Sequence, residues 1–158
     1  MNIFYLDEDP YQCAIAHCDK HCVKMILETA QLLSSVHWMT GGEAPYKLTH
    51  KNHPSAVWAR ENLGNYRWLA DLGVELCNEY TSRYGKVHKS TGIILDLALA
   101  DPDIPEGEFT PPPQCMPDHC KHENTVQAYR NYYLIEKSYM AKWSHSEAPD
   151  WWKEPANG

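Results

Sequence analysis

The chain has 158 residues, of which 43% are hydrophobic and 22% charged, and its formal net charge is −7 at pH 7. This length predicts one domain with one core, and the longest apolar run is too short to cross a bilayer. The acidic balance argues against an extensive DNA-binding footprint, although it permits a local basic groove. The first residues lack a basic segment followed by a long apolar stretch, so we expect a cytoplasmic protein without a membrane partner.

The amino-terminal segment, residues 1–10, is predicted to form a short strand or an extended arm on the core, and Pro10 suits the start of a helix. The main amphipathic helix follows over 17–38 and should end near Met39, because two glycines come next. Its apolar positions recur every three or four residues and form one face. They are Cys22, Met25, Ile26, Thr29, Leu32, Leu33 and Val36.

A second stripe of that helix carries His17, His21, Lys24, Glu28 and Gln31, again at steps of three and four. One interpretation is a solvated outer face, as most charged stripes are. The other is a cleft in which Glu28 transfers protons while its neighbours hold substrate. We favour the cleft, because a solvated face more often mixes several acids and bases in i, i+4 pairs, and this stripe has one carboxylate.

A polar loop over 43–53 contains the most basic short stretch of the chain, with Lys47, His50, Lys51 and His53 close together. It is either a solvated loop or a contact for phosphates or bases beside the cleft.

Three further helical segments are predicted over 54–84, 90–100 and 126–143. Gly64 is expected to break or bend the first of them, giving a short helix and then a long one, and Gly85 to end it.

Long irregular segments complete the chain: a proline-rich loop over 101–123 and a tail over 144–158 that Trp151 and Trp152 should dock on the body. The prediction is therefore an all-α fold, a compact single domain of about four helices over 1–158 with long irregular loops.

Two groups of soft ligands raise the question of a metal. One consists of His17, Cys18, His21 and Cys22, and the other of Cys115, His119, Cys120 and His122. Neither group has the paired C-x-x-C spacing of a zinc ribbon, so we expect neither metal nor cofactor. For the second group the sequence leaves metal binding open.

The run over 18–28 resembles the opening helix of the phage pyrimidine-dimer DNA glycosylases, also called endonuclease V. In that family an aspartate, a histidine two residues later and a catalytic glutamate seven further on share one helix, and Asp19, His21 and Glu28 keep those steps. Shorter matches follow along the chain. They are Asn52-His53-Pro54, the Glu79, Arg83 and Gly85 pattern, Glu136-Lys137 and Trp151-Trp152.

The resemblance implies a mostly helical DNA-repair enzyme in which the amino-terminal amine attacks the sugar C1′ of a damaged nucleotide and forms an imine, assisted by the glutamate. Glu28 and Met1 would fill these roles, since Asn2 disfavours removal of the initiator methionine. Leu27 and Gln31 stand where the family has arginines. The expected substrate-binding residues are His17, His21, Lys24, Gln31, Lys47, His50, Lys51 and His53.

The expected partner is damaged duplex DNA, in the host cytosol if the chain is phage-encoded. A small-nucleotide-binding protein or enzyme on the same fold is the second hypothesis, and it needs no broad basic surface. A non-enzymatic phage interaction protein, with the 101–123 loop as its contact, is the third. The sequence leaves the oligomeric state undetermined.

Overall fold

A computed structural model, in which residues 1–153 are described, shows six α-helices and no β-strand among those residues. The helices are α1 Pro10–Ala16, α2 Asp19–Met39, α3 Pro54–Ala59, α4 Leu63–Tyr84, α5 Thr91–Leu99 and α6 Thr125–Glu136. A single 3-10 turn, Asp118–Cys120, precedes α6. The all-α prediction is confirmed, whereas the predicted number of about four helices was too low.

The extra helices arise where two predicted segments are interrupted. Extended backbone at His17 and Cys18, with ψ of 134° and 163°, separates α1 from α2. Further on, α3 ends at Ala59, and the Asn62 side chain caps α4 by accepting a hydrogen bond from the Asn65 backbone N–H at 2.9 Å. The first interruption gives two helices in place of one, and the second gives the short helix followed by a long one that was predicted over 54–84.

The predicted helix boundaries with a clear local cause are confirmed. Pro54 opens α3, and the ring Nδ1 of His53 accepts a hydrogen bond from the Ser55 backbone N–H at 3.1 Å. Helix α2 ends at Met39, as the following glycines predict. Gly85 ends α4 with a left-handed φ of 69°, a conformation that glycine adopts without steric cost.

Gly64 has a different role from the predicted one, because it lies in the first turn of α4 and does not bend the helix. A Cβ atom there would lie 2.5 Å from the Gly107 carbonyl oxygen and the Phe109 nitrogen. The Leu63 backbone N–H also donates to the Pro105 carbonyl at 2.8 Å. Gly64 therefore permits close packing of the proline-rich loop against α4.

The last helix is shorter than the predicted segment, since α6 ends at Glu136 rather than Trp143. The chain turns there so that the Trp143 indole N–H donates to the Ala16 carbonyl at 3.2 Å and the Lys142 carbonyl accepts from the Asp19 N–H at 2.8 Å. Contacts with distant parts of the chain outweigh the local tendency to continue the helix.

The core forms where α4 packs against α1, α2 and α5, while α2 also packs against α3 and α5. The apolar face predicted for α2 is confirmed, because each of its residues is at most 3% exposed. They are Cys22, Met25, Ile26, Thr29, Leu32, Leu33 and Val36, and Leu69, Leu72 and Leu76 of α4 are buried with them.

The two long irregular segments lie on this core. The Trp58 indole N–H donates to the Thr110 carbonyl at 2.9 Å, which holds the proline-rich loop. Trp151 and Trp152 also pack against the core, whereas residues 154–158 of the predicted tail lie outside the described part. Within residues 1–153, no helix combines the length and apolarity that crossing a membrane requires.

Replacing Leu33, which is 0% exposed, by alanine should lower the free energy of unfolding by about 2–5 kcal/mol, because the cavity remains only partly filled. Leu99→Ala is the matched control: Leu99 is 88% exposed, and the expected change is within about 0.5 kcal/mol. Denaturant melts of both variants provide the measurement. Equal effects would show that the faces of α2 are assigned incorrectly.

Candidate active site at the amino terminus and helix α2

Glu28 lies at the border between the buried face of α2 and its exposed face. Its side chain is 15% exposed, and Lys24 Nζ lies 3.7 Å from its Oε2 atom. That oxygen is inaccessible to solvent and has no hydrogen-bond partner among the described protein atoms. A buried carboxylate oxygen without a partner costs free energy, so such an atom is a candidate for contact with a substrate or a transferred proton.

The amino-terminal arm is fixed against α2 and α6. Residues 3–6 are buried, and the Phe4 ring stacks on the His21 ring with centroids 4.0 Å apart. The Phe4 carbonyl accepts from the Cys13 thiol at 3.1 Å, and the Leu6 carbonyl accepts from Arg130 Nε at 2.9 Å. Met1 is half-buried and packs against the core. Residues 3–6 thus anchor the arm to the core only two residues after Met1.

The charge of the amino terminus acts on two nearby side chains. Burial lowers the pKa of His53, and the amino-terminal charge and His50 lower it further. Burial raises the pKa of Cys115, and the same charge opposes that rise. The amine therefore lies near the end of the 43–53 loop. In the sequence Cys115 belongs to a possible metal-binding group, and no pattern there indicates that it lies near the amino terminus.

The 43–53 loop lies along the second half of α2. The Ser35 hydroxyl donates to the Thr49 carbonyl at 3.2 Å, and the Thr49 N–H donates back to that hydroxyl at 3.3 Å. The Trp38 indole N–H donates to the Tyr46 carbonyl at 2.7 Å. The structure thus brings the basic loop beside the helix that carries Glu28.

The predicted contact residues of this loop differ in accessibility. Lys47, His50 and Lys51 are exposed, and His50 adopts a left-handed φ of 50°. His53 is half-buried as the cap of α3. On α2, Lys24 is exposed while Gln31 is half-buried.

His17 and His21 were expected to contact substrate, but the structure places both in the core. His17 is 0% exposed, and its Nδ1 atom donates to the Cys13 carbonyl at 2.7 Å. Burial lowers the pKa of His17 to about 4. Burial, followed by the charge of His17, lowers the pKa of His21 to about 3. Both rings are neutral at neutral pH, and neither presents a surface to a ligand in solution.

The hydrogen bonds of His21 define its tautomer. The Tyr133 hydroxyl accepts from the Cys18 backbone N–H at 3.2 Å, so its own hydrogen is free to point at His21 Nδ1, which lies 2.7 Å away. Burial raises the pKa of Tyr133 well above its ordinary value, which keeps that hydrogen in place. His21 therefore accepts at Nδ1, carries its proton on Nε2, and supports the arm through Phe4.

Exposed lysines concentrate on α2 and the two loops beside it. Burial lowers the pKa of His88, and a hydrogen bond with the Val23 backbone opposes that shift. Because Val23 belongs to α2, the 86–90 loop lies against this helix. The Tyr46 and Ser90 hydroxyls are hydrogen-bonded at 2.8 Å, which joins this loop to the 43–53 loop. The exposed lysines of these elements are Lys20, Lys24, Lys47, Lys51, Lys86 and Lys89.

Three clefts border other parts of the surface. Two share Asp7 and Arg130 in their linings, and the larger of them, of about 680 Å³, also has Glu79 and Asp150. Their linings contain neither Glu28 nor any residue of the 43–53 loop, and their acidic groups would repel a polyanion. The third cleft, of about 440 Å³, is lined by Asn52 at the end of the 43–53 loop and by residues of α3 and the proline-rich loop.

The class of protein that emerges is an all-α protein with an anchored amino-terminal arm, a half-buried helix carboxylate and exposed lysines on the helix and the two loops beside it. A family model described as "Pyrimidine dimer DNA glycosylase" matches residues 1–91, more than half of the chain, and the chain belongs to this family. The matched part includes the arm, α1 to α4, and both basic loops. Comparisons with curated proteins and with solved structures give no match.

Loss of stability in mild acid should follow from the buried histidines. The pKa of His21 is about 3 in the folded protein and about 6.5 in the unfolded chain, so below pH 6.5 the unfolded chain binds a proton that the folded protein excludes. The free energy of unfolding should therefore decrease as the pH falls below 6.5, and His21 alone should lower it by about 2 kcal/mol at pH 5.

His21→Asn keeps an acceptor near the Nδ1 position and removes the titration. Its free energy of unfolding should be lower at pH 7 but should change less between pH 7 and pH 5. The control His145→Asn, at an exposed histidine, should retain the pH dependence of the unsubstituted protein. Denaturant melts at both pH values make the comparison, and an unchanged slope for His21→Asn would contradict the assignment.

Proposed function

We propose that this protein removes damaged pyrimidines from duplex DNA as a glycosylase with lyase activity, with the Met1 amine as nucleophile and Glu28 as the acid–base residue. The family match over residues 1–91 carries the proposal, because that part of the chain contains both groups. The Oε2 atom of Glu28 supports it independently, because that atom is inaccessible to solvent and has a 3.7 Å contact with Lys24 Nζ but no hydrogen bond among the described protein atoms.

The proposed reaction begins when the amine attacks the sugar C1′ of the damaged nucleotide. The bond from C1′ to the base breaks, and the base leaves with the bonding electrons and takes up a proton. The bond from C1′ to the ring oxygen O4′ then breaks, O4′ takes up a proton to become a hydroxyl, and the nitrogen, which has lost its protons, is left double-bonded to C1′ as an imine. An α-amine suits this role because it is a weaker base than a lysine side chain, so more of it is neutral near pH 7. Elimination of the 3′ phosphate after loss of a C2′ proton then cleaves the strand.

Glu28 would assist by accepting a proton from the attacking amine and by stabilising the cationic imine through its negative charge. Partial burial favours this role, because a carboxylate acts more strongly on a nearby cation when water is excluded. The exposed Lys24 lies 3.7 Å from the carboxylate and suits a phosphate contact.

The distribution of charge favours duplex DNA over the free-nucleotide alternative. Residues 1–91 contain nine basic and ten acidic side chains, a net charge of −1, whereas residues 92–158 contain five and eleven, a net charge of −6. The acidic surplus thus belongs to the part outside the family match. The exposed lysines of α2 and of the two loops packed beside it are available to neutralise phosphates of a DNA backbone.

Glu28→Gln should leave the fold intact and lower strand cleavage by about 10²–10⁴-fold, because it removes the proton acceptor and its charge while keeping the size of the side chain. The assay is nicking of a duplex that contains a pyrimidine dimer or an abasic site. Glu43→Gln, at an exposed glutamate of the adjacent loop, should cleave like the unsubstituted protein.

Borohydride should trap a covalent complex between the protein and the damaged strand, because reduction makes the imine permanent. Acetylating the Met1 amine should prevent trapping while leaving DNA binding measurable. Absence of a trapped complex with every damaged or abasic duplex would refute the imine mechanism. Full activity of Glu28→Gln would refute the role of the carboxylate.

Lys47→Gln should weaken duplex binding and reduce the slope of log K against log salt concentration by about 1, because one fewer phosphate is neutralised. Lys153→Gln is the matched control, since Lys153 is also exposed but lies in the tail. Binding isotherms at several salt concentrations provide the slopes. Binding to a free nucleotide but not to duplex would favour the alternative instead.

A further inference from the structure

Three potential metal ligands meet where the proline-rich loop reaches α6. They are a ring nitrogen of His119, the Sγ atom of Cys120 and a carboxylate oxygen of Glu136, and all three atoms lie within 4.8 Å of one another. His119 and Cys120 belong to the 3-10 turn, and Glu136 is the last residue of α6. The cluster lies outside the residues that match the family model.

Backbone contacts hold this arrangement. The Asn131 side-chain amide, one turn and a half before Glu136 on α6, donates to the Cys120 carbonyl at 3.2 Å. The Cys120 N–H donates to the Pro117 carbonyl at 2.9 Å. The turn is thus fixed against the helix independently of the ligand side chains, and His119 Nε2 already contacts Glu136 Oε1.

The chemistry of the three groups fits zinc. Thiolate, imidazole and carboxylate bind Zn²⁺ at about 2.0–2.3 Å, so ligand atoms of a tetrahedral site lie roughly 3.3–3.8 Å apart. The thiol of Cys120 is buried and defines the inner side, whereas the His119 and Glu136 side chains are 57% and 37% exposed and have room to adjust. Their exposure leaves a fourth position for water.

We propose that Cys120, His119 and Glu136 form a zinc site that fastens the proline-rich loop to the end of α6. The other members of the cysteine–histidine group do not belong to it. His122 is engaged at the start of α6, where its Nδ1 atom accepts from the Asn124 N–H at 2.9 Å. Cys115 lies near the amino terminus. Zinc in this site stabilises the folded chain because the three ligands are brought together only by folding.

The test titrates the full chain, freed of metal, with Co²⁺ and then displaces cobalt with Zn²⁺. We expect one equivalent to bind, with a thiolate-to-cobalt charge-transfer band that zinc abolishes, and a melting temperature that rises with zinc concentration. Cys120→Ser should lose the band. Glu136→Gln should weaken binding by more than the roughly 10–100-fold typical of a change outside the ligand shell.

Cys115→Ser and His122→Asn are the matched controls, and both should bind cobalt like the unsubstituted chain. Circular dichroism establishes that each variant is folded, and Glu136→Gln decides the matter if Cys120→Ser is not. The proposal is overturned if the unsubstituted chain binds no stoichiometric metal, if the charge-transfer band is absent, or if Cys115→Ser removes it while Cys120→Ser does not.

Discussion

The buried guanidinium of Arg83 joins the segments on which the candidate site depends. Its side chain is 0% exposed, and it donates to Glu79 Oε2 at 2.7 Å and to the Ile15 carbonyl at 3.1 Å, with Asp19 Oδ1 3.4 Å away. The second Asp19 oxygen accepts from the Ser144 N–H at 2.8 Å. A buried cation that loses a partner is strongly destabilising, so the ends of α1 and α4, the start of α2 and the tail are held in one arrangement. The aspartate of the family pattern therefore acts here as a structural link.

This arrangement fixes the position of α2, and His21 connects α2 to the amino-terminal arm. The imidazole supports the Phe4 ring on one side and accepts from the Tyr133 hydroxyl on its edge, while that hydroxyl also caps the Cys18 N–H. Tyr133 lies on α6, beyond the part of the chain that matches the family model. The second half of the chain thus completes the support for the arm that ends in Met1, and a fragment of residues 1–91 would leave His21 without its partner.

The sequence predicts features that have local causes. Gly85 ends its helix because of its backbone freedom, and the apolar stripe of α2 forms the core because 3.6-residue periodicity places it on one face. Features that depend on distant partners were missed. The periodicity of α2 places His21 in a polar stripe, yet its hydrogen-bond partner, Tyr133, is 112 residues away in the chain. With that hydrogen bond made, the neutral imidazole packs in the core like an aromatic side chain. Similarly, α6 stops before Trp143 because the chain must return to α1.

An acidic protein that binds DNA has to separate its charges, and here the separation follows the chain. Leu27 and Gln31 stand where the resembled family has arginines, so the helix carries less positive charge beside Glu28. The lysines of α2 and of the adjoining 43–53 and 86–90 loops provide the positive charge that Leu27 and Gln31 do not. Because charges beyond about 8–10 Å are largely screened at physiological salt, the acidic surplus of residues 92–158 weakens long-range attraction more than it weakens contact. Under the proposed function, association with duplex DNA should then be slower than for a basic homologue, while the bound complex would depend on a few lysine–phosphate pairs.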